Sequence, residues 1–264
     1  MPAIETIRVG ELTVAHAAPE RMTGPPVLFI HGIFADARVW TDWLPRFASR
    51  GLPAYAVNLR GRADSKPVAN IGAVSIDDYV EDAASVARMI GRPAVVGHSM
   101  GGVIAQRLAE RDLVRAMALV APAPPRGIVL ISAELVAKQL KYLPNVFLNR
   151  PIPPNAADLR VVALNRASPE LQERVLAQLT PDSGRVGREL SITGVPVNAA
   201  RVTCPVLVIA AEDDRFVPAR TVARIARRYD AELRVMRGRG HMLVMEPGWE
   251  SLADDVAVWI TSRA

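Results

Sequence analysis

Between the apolar run Ala94 to Val96 and a stretch of helical character lies Gly97-His98-Ser99-Met100-Gly101, and few local patterns restrict a fold so tightly. A serine at a strand-to-helix turn sits in a strained backbone conformation, and flanking glycines remove the side chains that would block so sharp a bend. Such a turn needs a buried strand before it and a covering helix after it, the repeating unit of an α/β fold. It also pushes the Ser99 hydroxyl clear of the sheet. Met100, first in the following helix, offers a backbone N–H at the positive end of the helix dipole, suited to receive an oxyanion. Ser99 therefore reads as a candidate nucleophile.

The order of other reactive residues supports that reading. Downstream, the apolar run Val206 to Ile209 leads into Ala-Ala-Glu-Asp-Asp, which places Asp213 and Asp214 just past a buried strand. Further on, Gly238-Arg239-Gly240-His241 follows a short strand, Leu233 to Met236, and precedes a C-terminal helix. The chain has four histidines, so each can be weighed. His16 belongs to an N-terminal strand pair with no chemistry near it. His98 adjoins Ser99 at a sharp turn where neighbouring side chains point apart, so it is expected to pack or hydrogen-bond beneath the turn. His31 follows the strand Val27 to Ile30. His241, in a glycine-rich loop downstream of the acids, is the candidate base.

Taken together these residues resemble the α/β-hydrolase superfamily, in which nucleophile, acid and histidine follow in that chain order. The resemblance runs from His31-Gly32-Ile33-Phe34 to the helix after His241. It implies a serine esterase or lipase-like member with a helical cap, whose oxyanion hole is formed by the backbone N–H groups of Ile33 and Met100. The family's acid commonly stands four positions before the proline that opens the next helix, and Pro218 selects Asp214. Asn58 to Ser65 looks like the family's strand-end stretch, with Ala63 where glycine is common. The expected activity is hydrolysis of small to medium apolar acyl esters through an acyl-enzyme, with a small-molecule ester as substrate and neither cofactor nor metal. Cleavage of a carbon–carbon bond in a diketone is the alternative, and a receptor-like homologue that only binds is a third reading.

Short β-branched runs at Val27 to Ile30, Ala54 to Asn58, Ala94 to Val96, Met117 to Val120, Val206 to Ile209 and Leu233 to Met236 predict strands of a mostly parallel sheet buried on both faces. Ser75 with Asp78 forms a capping box, and Ile76, Tyr79, Val80, Ala83 and Val86 follow at helical spacing. Helices on both faces of the sheet complete a doubly wound α/β-hydrolase core over residues 1–121 and 201–264. Residues 122–200 break the alternation and read as an inserted helical cap. Val136, Leu140 and Leu143 are spaced as one helix face with Ser132 as its cap, and Leu159 to Leu164 and Leu171 to Leu179 form two further helices. Phe34, Ile128, Val129, Leu143 and Phe147 are the candidate pocket residues.

Composition narrows the partners. The 32 Lys and Arg, almost all arginine, exceed the 27 Asp and Glu by five, but they are scattered and not interleaved with aromatics, so nucleic acid is not expected. The single cysteine, Cys204, rules out an internal disulfide framework, and Cys/His clusters at zinc-ligand spacing are absent. The start Met-Pro-Ala-Ile-Glu-Thr lacks the features of a secretory signal, and no uncharged run approaches membrane-spanning length. A cytoplasmic location is expected, and oligomeric state is left open.

Overall fold

Alternating buried residues along short strands explain how this chain builds two cores on one sheet. In the computed structural model, which describes residues 2–129, 138 and 140–264, the strands are β1 (Glu5–Val9), β2 (Leu12–Ala17), β3 (Val27–Ile30), β4 (Ala54–Val57), β5 (Ala94–His98) and β6 (Ala116–Val120), then β7 (Pro151–Ile152), β8 (Asp182–Ser183), β9 (Val206–Ala211) and β10 (Glu232–Met236). The main sheet has eight strands in the order β1-β2-β4-β3-β5-β6-β9-β10, while β7 and β8 pair separately. β1 and β2, and β2 and β4, run antiparallel, and every later pairing in the sheet is parallel. β3, β5 and β6 are buried along their whole length, as central parallel strands covered on both faces must be.

Successive side chains on a strand point to opposite faces. Val27 and Phe29 enter one core with Val96, Leu207 and Ile209, where Phe29 meets Trp40, Trp43 and Phe47 ring against ring. Leu28 and Ile30 enter the other with Val95, Leu119 and Val208. The first core is closed by α1 (Trp43–Ser49), the second by α2 (Ile76–Met89) and α3 (Met100–Ala109). The Ser75 capping box is present: its hydroxyl accepts from the Asp78 N–H while the Asp78 carboxylate accepts from the Ser75 N–H. This satisfies two donors that the helix itself cannot, a contribution of about 1 kcal/mol.

Between β6 and β9 the chain leaves the sheet. Here lie α4 (Leu143–Phe147), α5 (Ala156–Val162), α6 (Pro169–Leu176) and α7 (Gly184–Arg188). α5 starts three residues before Leu159 because the Asn155 side chain accepts from the Asp158 N–H, and the Ser168 hydroxyl caps α6 in the same way. The expected helix through Ser132 and Val136 lies outside the described residues. Leu159, Val162, Leu164, Leu171 and Val175 join the first core from above. Two more helices, α8 (Ala219–Arg228) and α9 (Trp249–Arg263), follow β9 and β10. No described helix is long and apolar enough to cross a membrane.

Candidate active site

The strand-to-helix turn expected at Ser99 is built by steric necessity. Ser99 has φ 54° and ψ −119°, a conformation rare for a residue with a side chain. A Cβ on Gly97 would stand 2.4 Å from the Gly101 carbonyl oxygen, and one on Gly101 would stand 2.1 Å from the carbonyl oxygen of Ile30. Only glycine at both positions lets the first turn of α3 settle against the ends of β3 and β5. Gly32 comes as near from the other side, since a Cβ there would lie 3.0 Å from Ser99 Cβ. The loop carrying Ile33 thus runs beside the serine, and Met100 N–H opens α3 among the donors a helix leaves unpaired.

Ser99, His241 and Asp214 come from the C-terminal ends of β5, β10 and β9, the edge where open α/β sheets bind ligands. His241 Nε2 lies 3.0 Å from Ser99 Oγ, and Nδ1 lies 2.8 Å from Asp214 Oδ2. Carboxylate oxygens accept, so Nδ1 carries the hydrogen and Nε2 is free to accept from the hydroxyl. Asp214 is held in turn, its Oδ1 accepting from the N–H groups of Phe216 and Val217 at 2.8 Å each. All three side chains are buried. Asp213 is placed elsewhere and pairs with Arg166 at 2.8 Å. Among the described residues no group of three or more His, Cys, Asp or Glu is arranged to hold a metal ion.

The remaining histidines stand outside this line of contacts. His98 Nε2 donates to the carbonyl of His241 at 2.9 Å, and its ring packs 4.9 Å from the His241 ring. Burial, reinforced by the charge of His241 when protonated, pushes His98 down to about 3. His31 Nδ1 donates to Gly32 O at 2.9 Å, and burial lowers its pKa to about 4. His16 stacks on Tyr55 at 4.2 Å.

Two further contacts fix the loop bearing His241. Trp43 Nε1 donates to Val244 O at 2.8 Å, and the Gly240 N–H donates to Glu246 Oε2 at 2.8 Å. Glu246 is buried and its other oxygen has no partner, so burial raises its carboxyl pKa. A carboxyl whose folded pKa is raised takes up protons on folding, so its contribution to stability falls as pH rises through the folded value. Glu246→Gln is therefore expected to gain melting temperature relative to the wild type between about pH 5 and pH 8. Calorimetry at both pH values checks this, and a difference that stays constant with pH contradicts it.

Two apolar cavities meet at Ser99. The smaller, about 60 Å³, is bordered by His241, Met242 and Met245 together with Val39, Leu164 and Val175. The larger, about 290 Å³, reaches away from His241 among Ala123, Tyr142, Leu143, Val146, Val162 and Ile192. Phe34 borders both, and of the other candidate pocket residues Leu143 borders the larger. Ile128, Val129 and Phe147 border neither. Ile128 packs against the second core, Val129 is exposed, and the inward face of α4 carries Leu143 and Val146, leaving Phe147 in solvent.

Sequence reasoning missed a buried cluster behind the Ile33 loop. Asp182, fully buried in β8, accepts from Phe34 N–H at 2.8 Å, Tyr79 O–H at 2.9 Å and Ser183 N–H at 2.7 Å, and pairs with the Arg62 guanidinium at 2.5 Å. Arg62 is 1% exposed, an unusual state for a cation and one that requires such a partner. Removing either charge would leave the other buried and unpaired, at about 3–5 kcal/mol. The only available signal was Arg62 itself, in the Asn58 to Ser65 stretch already singled out; nothing marked Asp182 as its partner, 120 positions away.

The sequence pattern of the Alpha/beta hydrolase family matches residues 27–255. A monoacylglycerol lipase of Mycolicibacterium smegmatis is 30% identical over 256 residues, covering 90% of this chain and 88% of its own. A 2-(acetamidomethylene)succinate hydrolase of Mesorhizobium japonicum is 26% identical, with 89% and 87% covered. Among solved structures, a thermophilic esterase from Thermogutta terrifontis superposes with a TM-score of 0.73 at 21% identity over 98% of both chains, a likeness of fold.

Proposed function

The chain belongs to the α/β-hydrolase family, and on that premise we propose that it is a serine carboxylic-ester hydrolase acting on apolar acyl esters. The observation that carries this reading is the unbroken line from Ser99 Oγ through His241 to Asp214 at the junction of two apolar cavities. A relative named as a monoacylglycerol lipase supports ester hydrolysis.

His241 takes the Ser99 proton as Oγ bonds to the ester carbonyl carbon, and the carbonyl oxygen becomes an oxyanion facing the N–H groups of Ile33 and Met100. Asp214 orients the imidazole and stabilises its charged form. When the tetrahedral intermediate collapses, the carbon–oxygen bond to the alcohol breaks and the proton passes from His241 to the departing alkoxide. Water then gives a proton to His241 and its oxygen to the acyl carbon. The second collapse frees the acid and returns the proton to Ser99.

Residues 122–200 act in this reading as a cap, roofing Ser99 with Leu159, Val162 and Val175 and excluding water. The proton path assigns the cavities. The leaving oxygen must face His241, so the alcohol occupies the small cavity bordered by that histidine, and the acyl chain occupies the larger one. At about 30 Å³ per small heavy group, the small cavity takes an alcohol of a few atoms, and the large one takes a medium chain.

Isomeric esters separate this assignment from bulk hydrophobicity. Methyl decanoate is expected to be hydrolysed with kcat/KM about tenfold or more above nonyl acetate, because each misplaced methylene weakens transition-state binding. The opposite preference would overturn the cavity assignment. No turnover of either ester by the wild type would overturn the esterase, leaving carbon–carbon cleavage of a diketone or binding without turnover.

A further inference from the structure

We propose that Asp182 is a positioning residue for the oxyanion hole, coupling the segment between β6 and β9 to the loop that presents Ile33 N–H; the role rests on the hydrolase reading above. Ile33 is followed by Phe34, whose φ of 65° is left-handed, an unfavourable state for an aromatic residue. Such a conformation persists where the surroundings over-determine it. Here both polar groups of Phe34 are captured by one short stretch: its N–H donates to Asp182 Oδ2 at 2.8 Å, and its carbonyl accepts from Thr180 N–H at 3.0 Å. The peptide that follows Ile33 is thereby held, and with it the position of the residue whose own N–H, one peptide earlier, faces the hole.

Asp182 is rigid enough for the task. Tyr79 and Ser183 fill Oδ1, while Arg62 and Phe34 fill Oδ2. Arg62 also donates to Pro181 O at 2.9 Å, so the cation grips both the carboxylate and the backbone beside it. The Arg62 charge has a second effect, since an unpaired carboxylate against the hole would repel the developing oxyanion, and the guanidinium neutralises it. Arg62 and Tyr79 belong to the sheet's own layers, whereas Thr180, Pro181 and Asp182 belong to the segment between β6 and β9. The hole is therefore set only when that segment is seated.

The test uses Asp182→Ala in the full chain, which takes the acceptor away from Phe34 N–H; an amide oxygen at this position could still accept from Phe34 and Arg62 together, as Oδ2 does. Besides ester turnover, it measures inhibition by an alkyl trifluoromethyl ketone. Ser99 Oγ adds reversibly to the ketone carbon, the proton moves to His241, and the resulting oxyanion occupies the hole. A donor displaced by a fraction of an ångström is expected to lower kcat about 10- to 100-fold and to raise the inhibition constant by the same factor, with KM within about twofold. A folded variant with kcat within twofold of wild type, or with KM altered and inhibition unchanged, overturns the proposal.

Should the unpaired Arg62 charge prevent folding, Arg62→Met is combined with Asp182→Ala and the same two constants are read. Failure of the double variant to fold would assign the cluster to stability alone and equally overturn the role. Ser99→Ala run alongside keeps the two readings apart. A wild type without Ser99-dependent turnover fails as a hydrolase, whereas Ser99-dependent turnover indifferent to Asp182 removes only the positioning role.

Discussion

Ser99→Ala and His241→Ala are each expected to lower kcat for ester hydrolysis by about four to six orders of magnitude, with the fold intact. Ser99 Oγ is the atom that bonds to substrate, and without it no acyl-enzyme forms. Without His241 the hydroxyl keeps its proton, because no other base lies within hydrogen-bond reach of Ser99 among the described contacts. The residual rate comes from the oxyanion donors and substrate binding. Because the three side chains act as a unit, the double variant is expected to be no slower than either single one. Steady-state rates, labelling by an alkyl fluorophosphonate and melting temperatures of all three variants check this. Half the wild-type activity surviving in either single variant would sink the assignment.

What made these residues legible was local chemistry with rigid spacing. Gly97 and Gly101 could be read because their absence of side chain is demanded within five residues, and the Gly101 contact with Ile30 O shows how little space the turn leaves. Strands such as Val27–Ile30 were legible because a sheet buried on both faces leaves no polar positions. Ser75 and Asp78 announced a helix start through hydrogen bonds three residues apart. Asp214 needed more than local pattern, since Asp213 adjoins it; the structure places them apart, one on His241 and the other on Arg166.

What stayed hidden depended on distant partners. Which face of α4 turns inward is set by the cavity it meets, so Leu143 and Val146 border that cavity while Phe147 does not. Arg62 and Asp182 are individually ordinary residues whose meaning comes from a contact across 120 positions. Periodicity cannot report such a pair, because neither residue's neighbours carry its signature. The same is true of Glu246, whose hold on Gly240 fixes the His241 loop.

The buried imidazoles predict the largest effect on stability. His31 and His98 are lowered from 6.5 to about 4 and about 3, both chiefly by burial. A group whose folded pKa is depressed contributes stability that is fully present above its unfolded value and is lost as pH falls toward the folded one. Between about pH 6.5 and pH 4 the unfolded chain therefore binds two protons that the folded chain refuses, a loss of up to about 1.4 kcal/mol per pH unit for each histidine. Glu246 opposes this as one group against two, because its raised carboxyl takes up a proton on folding. The depressed carboxyls of Asp36 and Asp78 add their own loss only lower, below the ordinary carboxylate range. Against a total stability of about 5–15 kcal/mol, a net one to two protons over this range removes about 3–7 kcal/mol, a large share of the total. Urea unfolding at pH 7, 6, 5 and 4 is expected to show stability falling with a slope of about one to two protons, and His98→Asn is expected to remove about one of them. A wild-type stability flat across this range would mean that the folded state admits protons to both rings, contrary to a site in which His98 donates from Nε2 beneath His241 while its ring stays neutral.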